Sequence, residues 1–95
     1  MALLIRADGW LTTFKPANGR RFTLEELQRL VGGVIEVARA RGRRRWLILN
    51  EDGQRSMLKF NAKATRLYHH AGGRRTDVIV GDVVLTTWTE IGGKR

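Results

Sequence analysis

Short apolar segments separated by turn dipeptides dominate the first part of the chain. Residues 2–6 are mostly apolar, and residues 10–15 resume an extended pattern that contains threonines. The Asp8-Gly9 dipeptide between them favours a tight turn. This pattern predicts an N-terminal β-hairpin, followed by a loop over residues 16–21 in which an Asn-Gly pair marks a turn.

The next segment has the spacing of an amphipathic helix with marked ends. Thr23 and Glu26 have the spacing of a capping box, in which each side chain accepts a hydrogen bond from the other residue's backbone N–H. One apolar stripe follows at helical spacing, formed by Leu24, Leu27, Leu30 and Val31. Gly32-Gly33 then ends the pattern, because glycine readily takes the left-handed conformation that follows a helix. The sequence therefore predicts a helix over residues 24–31.

Apolar and β-branched runs return after this helix. Residues 34–37 and 46–49 have the composition of strands, and the second run is apolar throughout, which is typical of a central strand. The Asp52-Gly53 dipeptide predicts a type I′ hairpin turn. Residues 55–60 are then expected to return as the partner strand of residues 46–49.

A second helix and a last extended segment complete the pattern. Asn61 is a predicted N-cap for a short helix over residues 62–69. A basic, glycine-containing loop follows over residues 71–76. Residues 78–80 and 83–88 form the last extended segment, interrupted by a turn or bulge at its Gly-Asp pair.

The predicted order of elements is β-β-α-β-β-β-α-β. Because hairpins outnumber parallel crossovers in this order, it indicates an α+β fold with a mainly antiparallel sheet, one well-capped helix and a second short helix. The length of 95 residues predicts a single domain over 1–95, in which residues 91–95 form a frayed tail.

Charge narrows the classes of partner. The net charge is +9 at pH 7, which attracts nucleic acids, nucleotides, anionic membranes and acidic protein faces. The sequence has no cysteine, which excludes disulfides and thiolate chemistry and fits a reducing cytoplasm. It also has no apolar stretch near the ~20 residues of a membrane span, so no membrane partner is expected.

The highest density of charge falls between the strands predicted at 34–37 and 46–49. Five arginines lie within seven residues there, without an acid among them. Like charges crowded at one turn repel each other and contribute nothing to folding, so the cluster predicts an anionic partner. The predicted binding residues are this cluster and the arginine pairs of two loops: Arg39, Arg41, Arg43, Arg44, Arg45, Arg20, Arg21, Arg74 and Arg75. Trp46 beside the cluster is interpreted as a core residue, the alternative being a residue that stacks on a base or on an arginine.

Other polar groups do not form a pattern of known chemistry. Asn50, Glu51 and Asp52 at the predicted hairpin tip, with Asn61 nearby, would suit a cation or acid–base chemistry, but such tips are ordinarily solvated turns. The adjacent pair His69-His70 points to different sides of a helix and does not chelate one ion. We therefore predict no catalytic residues, no metal site and no cofactor.

The order of motifs from Phe22 onward resembles an uncharacterised family of small domains found in phages, plasmids and other mobile elements. The matching segments are LEELQRLVGGVIEV at 24–37, LILNEDG at 47–53, NAKAT at 61–65 and VIVGDVVL at 78–85. The arginine stretch at 38–45 is more basic than the family pattern, and a proline expected within 54–60 is missing. The resemblance supplies no established activity, but implies an accessory protein of a mobile element.

Accessory proteins of this kind often counter host defence, which gives the first functional hypothesis. The chain would be a non-enzymatic protein that binds and blocks a host-defence component, such as a CRISPR effector, by docking its basic surface on an acidic protein face. In the second hypothesis the same arginines bind nucleic acid directly. In the third the protein is a sponge for anionic nucleotides, which requires a pocket lined by arginine and aromatic residues between subunits.

Overall fold

The computed structural model describes residues 2–40, 42 and 45–91, and for Phe14 the backbone alone. Its elements are β1 (Ala2–Ile5), β2 (Leu11–Phe14), α1 (Leu24–Val31), β3 (Ile35–Arg39), β4 (Arg45–Asn50), α2 (Ala62–His70), β5 (Val83–Thr87) and a 3₁₀ turn (Thr89–Ile91). The strands form one sheet in the order β2-β1-β5-β4-β3, with every neighbouring pair antiparallel. The predicted α+β class and antiparallel sheet are confirmed.

The two helices lie on opposite faces of the sheet. Successive side chains of a strand point to alternate faces. On β4, Ile48 belongs to an apolar cluster with Leu27 of α1, whereas Leu47 belongs to a second cluster with Ala64 of α2. Both faces of the centre of β4 are therefore buried, which explains why residues 46–49 are apolar throughout.

Local signals place the N-terminal hairpin and the first helix as predicted. Gly9, at a φ of 97°, turns the chain between β1 and β2. Thr23 and Glu26 form the reciprocal capping box at the start of α1. Gly32 ends that helix in the left-handed conformation, with a φ of 83°.

The expected strand over residues 55–60 is wrong. Residues 51–57 form consecutive turns, and Gly53 does not take the positive φ that a type I′ hairpin requires. Gly53 is instead buried where a Cβ would lie 2.8 Å from Cγ2 of Val80. The partner that 55–60 was expected to join, β4, already pairs with β3 and β5 on its two sides. Phe60 therefore forms an isolated bridge with Val80 outside the sheet.

Asn61 joins three parts of the chain at the start of α2. Its side chain accepts from the Ala64 N–H at 3.1 Å, which confirms the predicted N-cap. The amide Nδ2 also donates to the carbonyls of Ile5 and Gly81, each at 2.8 Å. The side chain is 1% exposed, so it acts as an internal brace.

The end of the chain differs in part from the prediction. Residues 78–80 lie outside the main sheet, and Gly81, at a φ of 81°, turns the chain into β5. Ile91, expected in a frayed tail, packs against the core cluster on the α1 face. The remainder of that tail, residues 92–95, lies outside the described residues.

Candidate functional site

The structure describes the two ends of the predicted arginine cluster, which flank the connection between β3 and β4. Arg39 is the last residue of β3 and Arg45 the first of β4, and both are exposed. Gly42 takes a φ of 115° in the turn, and Arg45 folds so closely over it that a Cβ there would meet Cδ of Arg45 at 2.5 Å. Arg41, Arg43 and Arg44 lie outside the described residues.

Tryptophan rings lie directly beside this turn. Arg39 and Trp46 are cross-strand partners, and the guanidinium carbon of Arg39 is 5.8 Å from the centre of the Trp46 ring, within cation–π range. The Trp46 ring in turn lies 5.2 Å from that of Trp88, at an interplanar angle of 43°. We call Arg39, Arg45, Trp46 and Trp88 the arginine–tryptophan surface.

Trp46 is only partly a core residue. It lies on the α1 face of β4 but is half-buried, and its Nε1 is buried without a hydrogen-bond partner among the described residues. The interpretation as a core side chain therefore holds for one part of the indole. Trp88, which is 38% exposed, was missed as a site residue. The period-two spacing of Val84, Thr86 and Trp88 was the available signal, because it places Trp88 on the face that carries Trp46.

A buried carboxylate holds the chain in place around Trp88. Glu90 accepts hydrogen bonds from the hydroxyls of Thr86 and Thr87, at 3.0 Å and 3.1 Å, and from the Thr87 N–H at 3.2 Å. Burial raises the pKa of Glu90, but the hydrogen bonds that its carboxylate accepts, those from Thr87 and Thr86 among them, outweigh burial and lower it. Glu90 therefore acts as an anionic brace for the turn after β5.

The first of the two predicted arginine pairs lies at the same end of the sheet. Arg20 and Arg21 are exposed in the loop between β2 and α1, where both N–H groups donate to Oδ1 of Asn18 at 2.9 Å. The next residue, Phe22, donates its N–H to the carbonyl of Glu90 at 2.7 Å. This bond fixes the loop beside the segment that carries Trp88.

The other predicted arginine pair approaches β3 from the opposite face. Arg74 and Arg75 are exposed in the loop after α2. Gly72 and Gly73, which precede them, line one concavity together with Arg39. The structure therefore brings the first two groups to one end of the sheet and the third to the α2 side of its edge.

Two neighbouring concavities run along the α2 face of β3. The first, of about 280 Å³, is lined on its polar side by Glu36, Glu51, Gln54, Tyr68 and Asp77. The second, of about 340 Å³, shares Glu36 and Tyr68 with the first and extends toward Arg39. Sequence reasoning missed this groove, because its walls come from segments far apart in the chain.

Tyr68 lies where the two concavities meet. Its phenol donates to Oδ2 of Asp77 at 3.1 Å, while Gly73 lies so close that a Cβ there would meet the ring at 2.5 Å. Burial raises the pKa of Tyr68, and the hydrogen bond to Asp77 raises it further. The neutral phenol therefore helps to hold the loop after α2 against the helix.

The polar residues after β4 serve mainly as structural links. Asn50 is buried, donates from Nδ2 to the Val31 carbonyl at 3.2 Å, and accepts the Asp52 N–H at 2.8 Å. It thus ties the end of α1 to the turn after β4, as a buried structural residue and not as part of a solvated turn. Glu51 is exposed and belongs to the groove beside β3.

The histidine pair and the acidic residues form no metal centre in the described part of the chain. His69 contacts the carbonyl of Asp77 through Nε2 at 2.8 Å. No group of three or more His, Cys, Asp and Glu side chains among residues 2–40, 42 and 45–91 is arranged to hold a metal ion. No helix in those ranges is long and apolar enough to cross a membrane.

Comparison with known proteins identifies the family. No curated protein and no solved structure matches the chain significantly. The family model described as a domain of unknown function, DUF3846, matches residues 3–94. This match includes both helices, the whole of β2 to β5 and the motifs between them. The chain therefore belongs to the DUF3846 family.

Proposed function

We propose that this protein is a non-enzymatic accessory protein of a mobile element that binds and blocks a component of host defence in the bacterial cytoplasm. Its arginine–tryptophan surface would dock on an acidic face of a host-defence complex, such as a CRISPR effector. The observation that carries the proposal is the position of Arg39 and Arg45 at an exposed turn beside Trp46 and Trp88.

The composition of this surface supports a protein partner. Tryptophan and arginine are the residues most enriched among those that dominate protein–protein affinity. Trp88 is 38% exposed, and Val37, on the same face of β3 as Arg39, is 44% exposed. These apolar groups can be desolvated by a partner while the arginines select an acidic face and accelerate association.

One observation favours direct binding of nucleic acid as a second candidate. Aromatic side chains beside a basic groove stack on the bases of single strands, typically contributing ~1–3 kcal/mol per base. Trp88 offers a partly exposed ring next to the arginine turn. The same surface therefore suits a flexible single strand whose phosphates contact the arginines.

The nucleotide-sponge hypothesis gains no support from the groove beside β3. Glu36, Glu51 and Asp77 line its first concavity, and carboxylates repel the phosphates of a nucleotide. A pocket between subunits remains a requirement of that hypothesis.

A capture experiment tests the leading proposal. The tagged protein is incubated with bacterial host lysate with and without nuclease, and retained proteins and nucleotides are identified by mass spectrometry. We expect one protein partner to remain after nuclease treatment. Replacing Arg41, Arg43 and Arg44 together with serine should weaken its binding by ~10-fold or more, at roughly 0.5–1 kcal/mol for each charge contact.

Salt dependence separates the two candidates. For direct binding to duplex, log affinity falls linearly with log salt, by about 0.9 for each phosphate neutralised, and a random sequence binds as well as any other. For a protein inhibitor, duplex binding should be lost by ~0.2 M salt, while the protein partner stays bound through apolar contacts. Tight nucleic-acid binding at physiological salt, without a nuclease-resistant protein partner, would reject the leading proposal.

A further inference from the structure

The free edge of the sheet at β3 has an unpaired backbone. The Val34 carbonyl accepts from the Glu51 N–H at 2.8 Å, and the Ala40 N–H donates to the Arg45 carbonyl at 3.2 Å. Along an antiparallel strand, successive residues direct their backbone N–H and C=O groups alternately toward and away from the neighbouring strand. Ile35, Val37 and Arg39 therefore direct their N–H and C=O groups away from β4, where no described residue bonds to them.

The groove along the α2 face follows this edge. Glu36 and Ala38 belong to β3 and line both concavities, with Tyr68 forming the opposite wall. A segment added to β3 would direct every second side chain into this groove, because side chains alternate between the faces of a sheet. The intervening side chains would lie beside Val37, which is 44% exposed on the α1 face.

The charge of the first concavity is opposite to that of the whole protein. The chain has nine acidic residues against a net charge of +9, yet Glu36, Glu51 and Asp77 surround this one concavity. None of the three forms an ion pair with a cation among the described residues. The concavity thus presents uncompensated negative charge to a group that enters along the edge.

We propose that β3 binds an extended segment of a partner protein as a sixth strand, with a lysine or arginine side chain of that segment in the acidic concavity. Backbone hydrogen bonds to Ile35, Val37 and Arg39 supply the pairing, and the concavity selects the side chain. The bound segment alternates basic and apolar residues, the apolar ones packing beside Val37. This site does not depend on the function proposed for the arginine–tryptophan surface.

Peptide titration of the full-length, ¹⁵N-labelled protein tests the site. The probe is a heptapeptide of alternating lysine and valine with blocked ends, and the comparison peptide has glutamate in place of lysine. We expect the lysine peptide, at up to ~1 mM as suits a weak contact, to shift the Ile35, Val37 and Arg39 amide signals and slow their hydrogen exchange. The glutamate peptide should leave these three amides unchanged.

Variants of the protein separate the contribution of charge to peptide binding from that of backbone hydrogen bonds. The double substitution Glu36→Gln with Glu51→Gln should weaken binding of the lysine peptide about tenfold. Glu25→Gln is the control for the loss of an acidic charge elsewhere, since it removes one such charge from an exposed position on α1 and should change nothing. Val37→Pro removes one outward N–H and should abolish binding, because proline is tolerated at sheet edges but cannot donate.

If Val37→Pro does not fold, the same pairing is tested from the ligand side with a lysine peptide whose backbone nitrogens are methylated. This peptide lacks the N–H donors that pair with β3, so we expect it not to bind. The proposal is overturned if both peptides shift the β3 amides equally, or if the glutamine variant binds as tightly as the parent. It is also overturned if the β3 amides become protected on raising the protein concentration alone, because a second copy would then occupy the edge.

Discussion

At the scale of single residues, the side chain of Asn61 links three parts of the fold through its hydrogen bonds. Replacing it with alanine removes a hydrogen bond from each of two buried carbonyls, those of Ile5 and Gly81, and removes the cap of α2. We expect a loss of about 2–4 kcal/mol in the free energy of unfolding, from the lost buried hydrogen bonds and the lost cap. Denaturant unfolding followed by circular dichroism measures this loss.

Asn18→Ala is the matched control for this prediction. Asn18 also accepts two backbone hydrogen bonds, from Arg20 and Arg21, but it lies in an exposed loop. Its loss should change stability by less than about 0.5 kcal/mol. Equal effects of the two substitutions would show that Asn61 is not a brace.

At the scale of elements, the start of α1 gives the stability a defined pH dependence. Glu26 accepts the Thr23 N–H at 2.9 Å and the Ala17 N–H at 3.0 Å. The Thr23 bond, followed by that from Ala17, lowers the pKa of Glu26 below its ordinary value of 4.5. A lowered folded-state pKa means that this stabilisation is present above pH 4.5 and is lost as the pH falls through the folded-state value.

Glu26→Gln tests this linkage. The difference in thermal midpoint between parent and variant should be largest near pH 7 and shrink once the pH falls below 4.5. Glu25→Gln serves as the control, since Glu25 lies in the same helical turn but outside the capping box. A difference that stays constant from neutral to acidic pH would contradict the assignment.

At the scale of the whole molecule, charge is unevenly distributed. With a net charge of +9, the positive side chains repel one another across the protein, and the arginines between β3 and β4 add to that repulsion. Replacing Arg41, Arg43 and Arg44 with serine should therefore leave the thermal midpoint unchanged or slightly raised. Adding salt should raise the midpoint of the parent more than that of the variant, because the Debye length falls to about 3 Å at 1 M salt.

Thermal scans at low and high NaCl measure both effects. A marked fall in the midpoint of the triple variant at every salt concentration would show that these arginines pack as part of the fold. Their role as a binding surface would then lose its basis, because that role was inferred from their contributing nothing to folding.

The sequence by itself determined the features that depend on neighbouring residues. The capping box of α1, the Asn61 cap of α2 and the turns at Gly9 and Gly32 were predictable, because their partners lie within a few positions along the chain. The location of the arginine cluster at a turn followed in the same way, from the strands on either side of it.

Tertiary structure alone decided the features that join distant segments. The strand expected at 55–60 does not form, because β5, from the end of the chain, occupies the place beside β4. Trp88 reaches Trp46 through the same pairing of strands. The acidic groove is also built this way, since Glu36, Glu51 and Asp77 have no shared local pattern and meet only when α2 and its following loop cover β3. Pairings of this kind depend on the competition between remote segments for one buried edge or face, which local patterns do not encode.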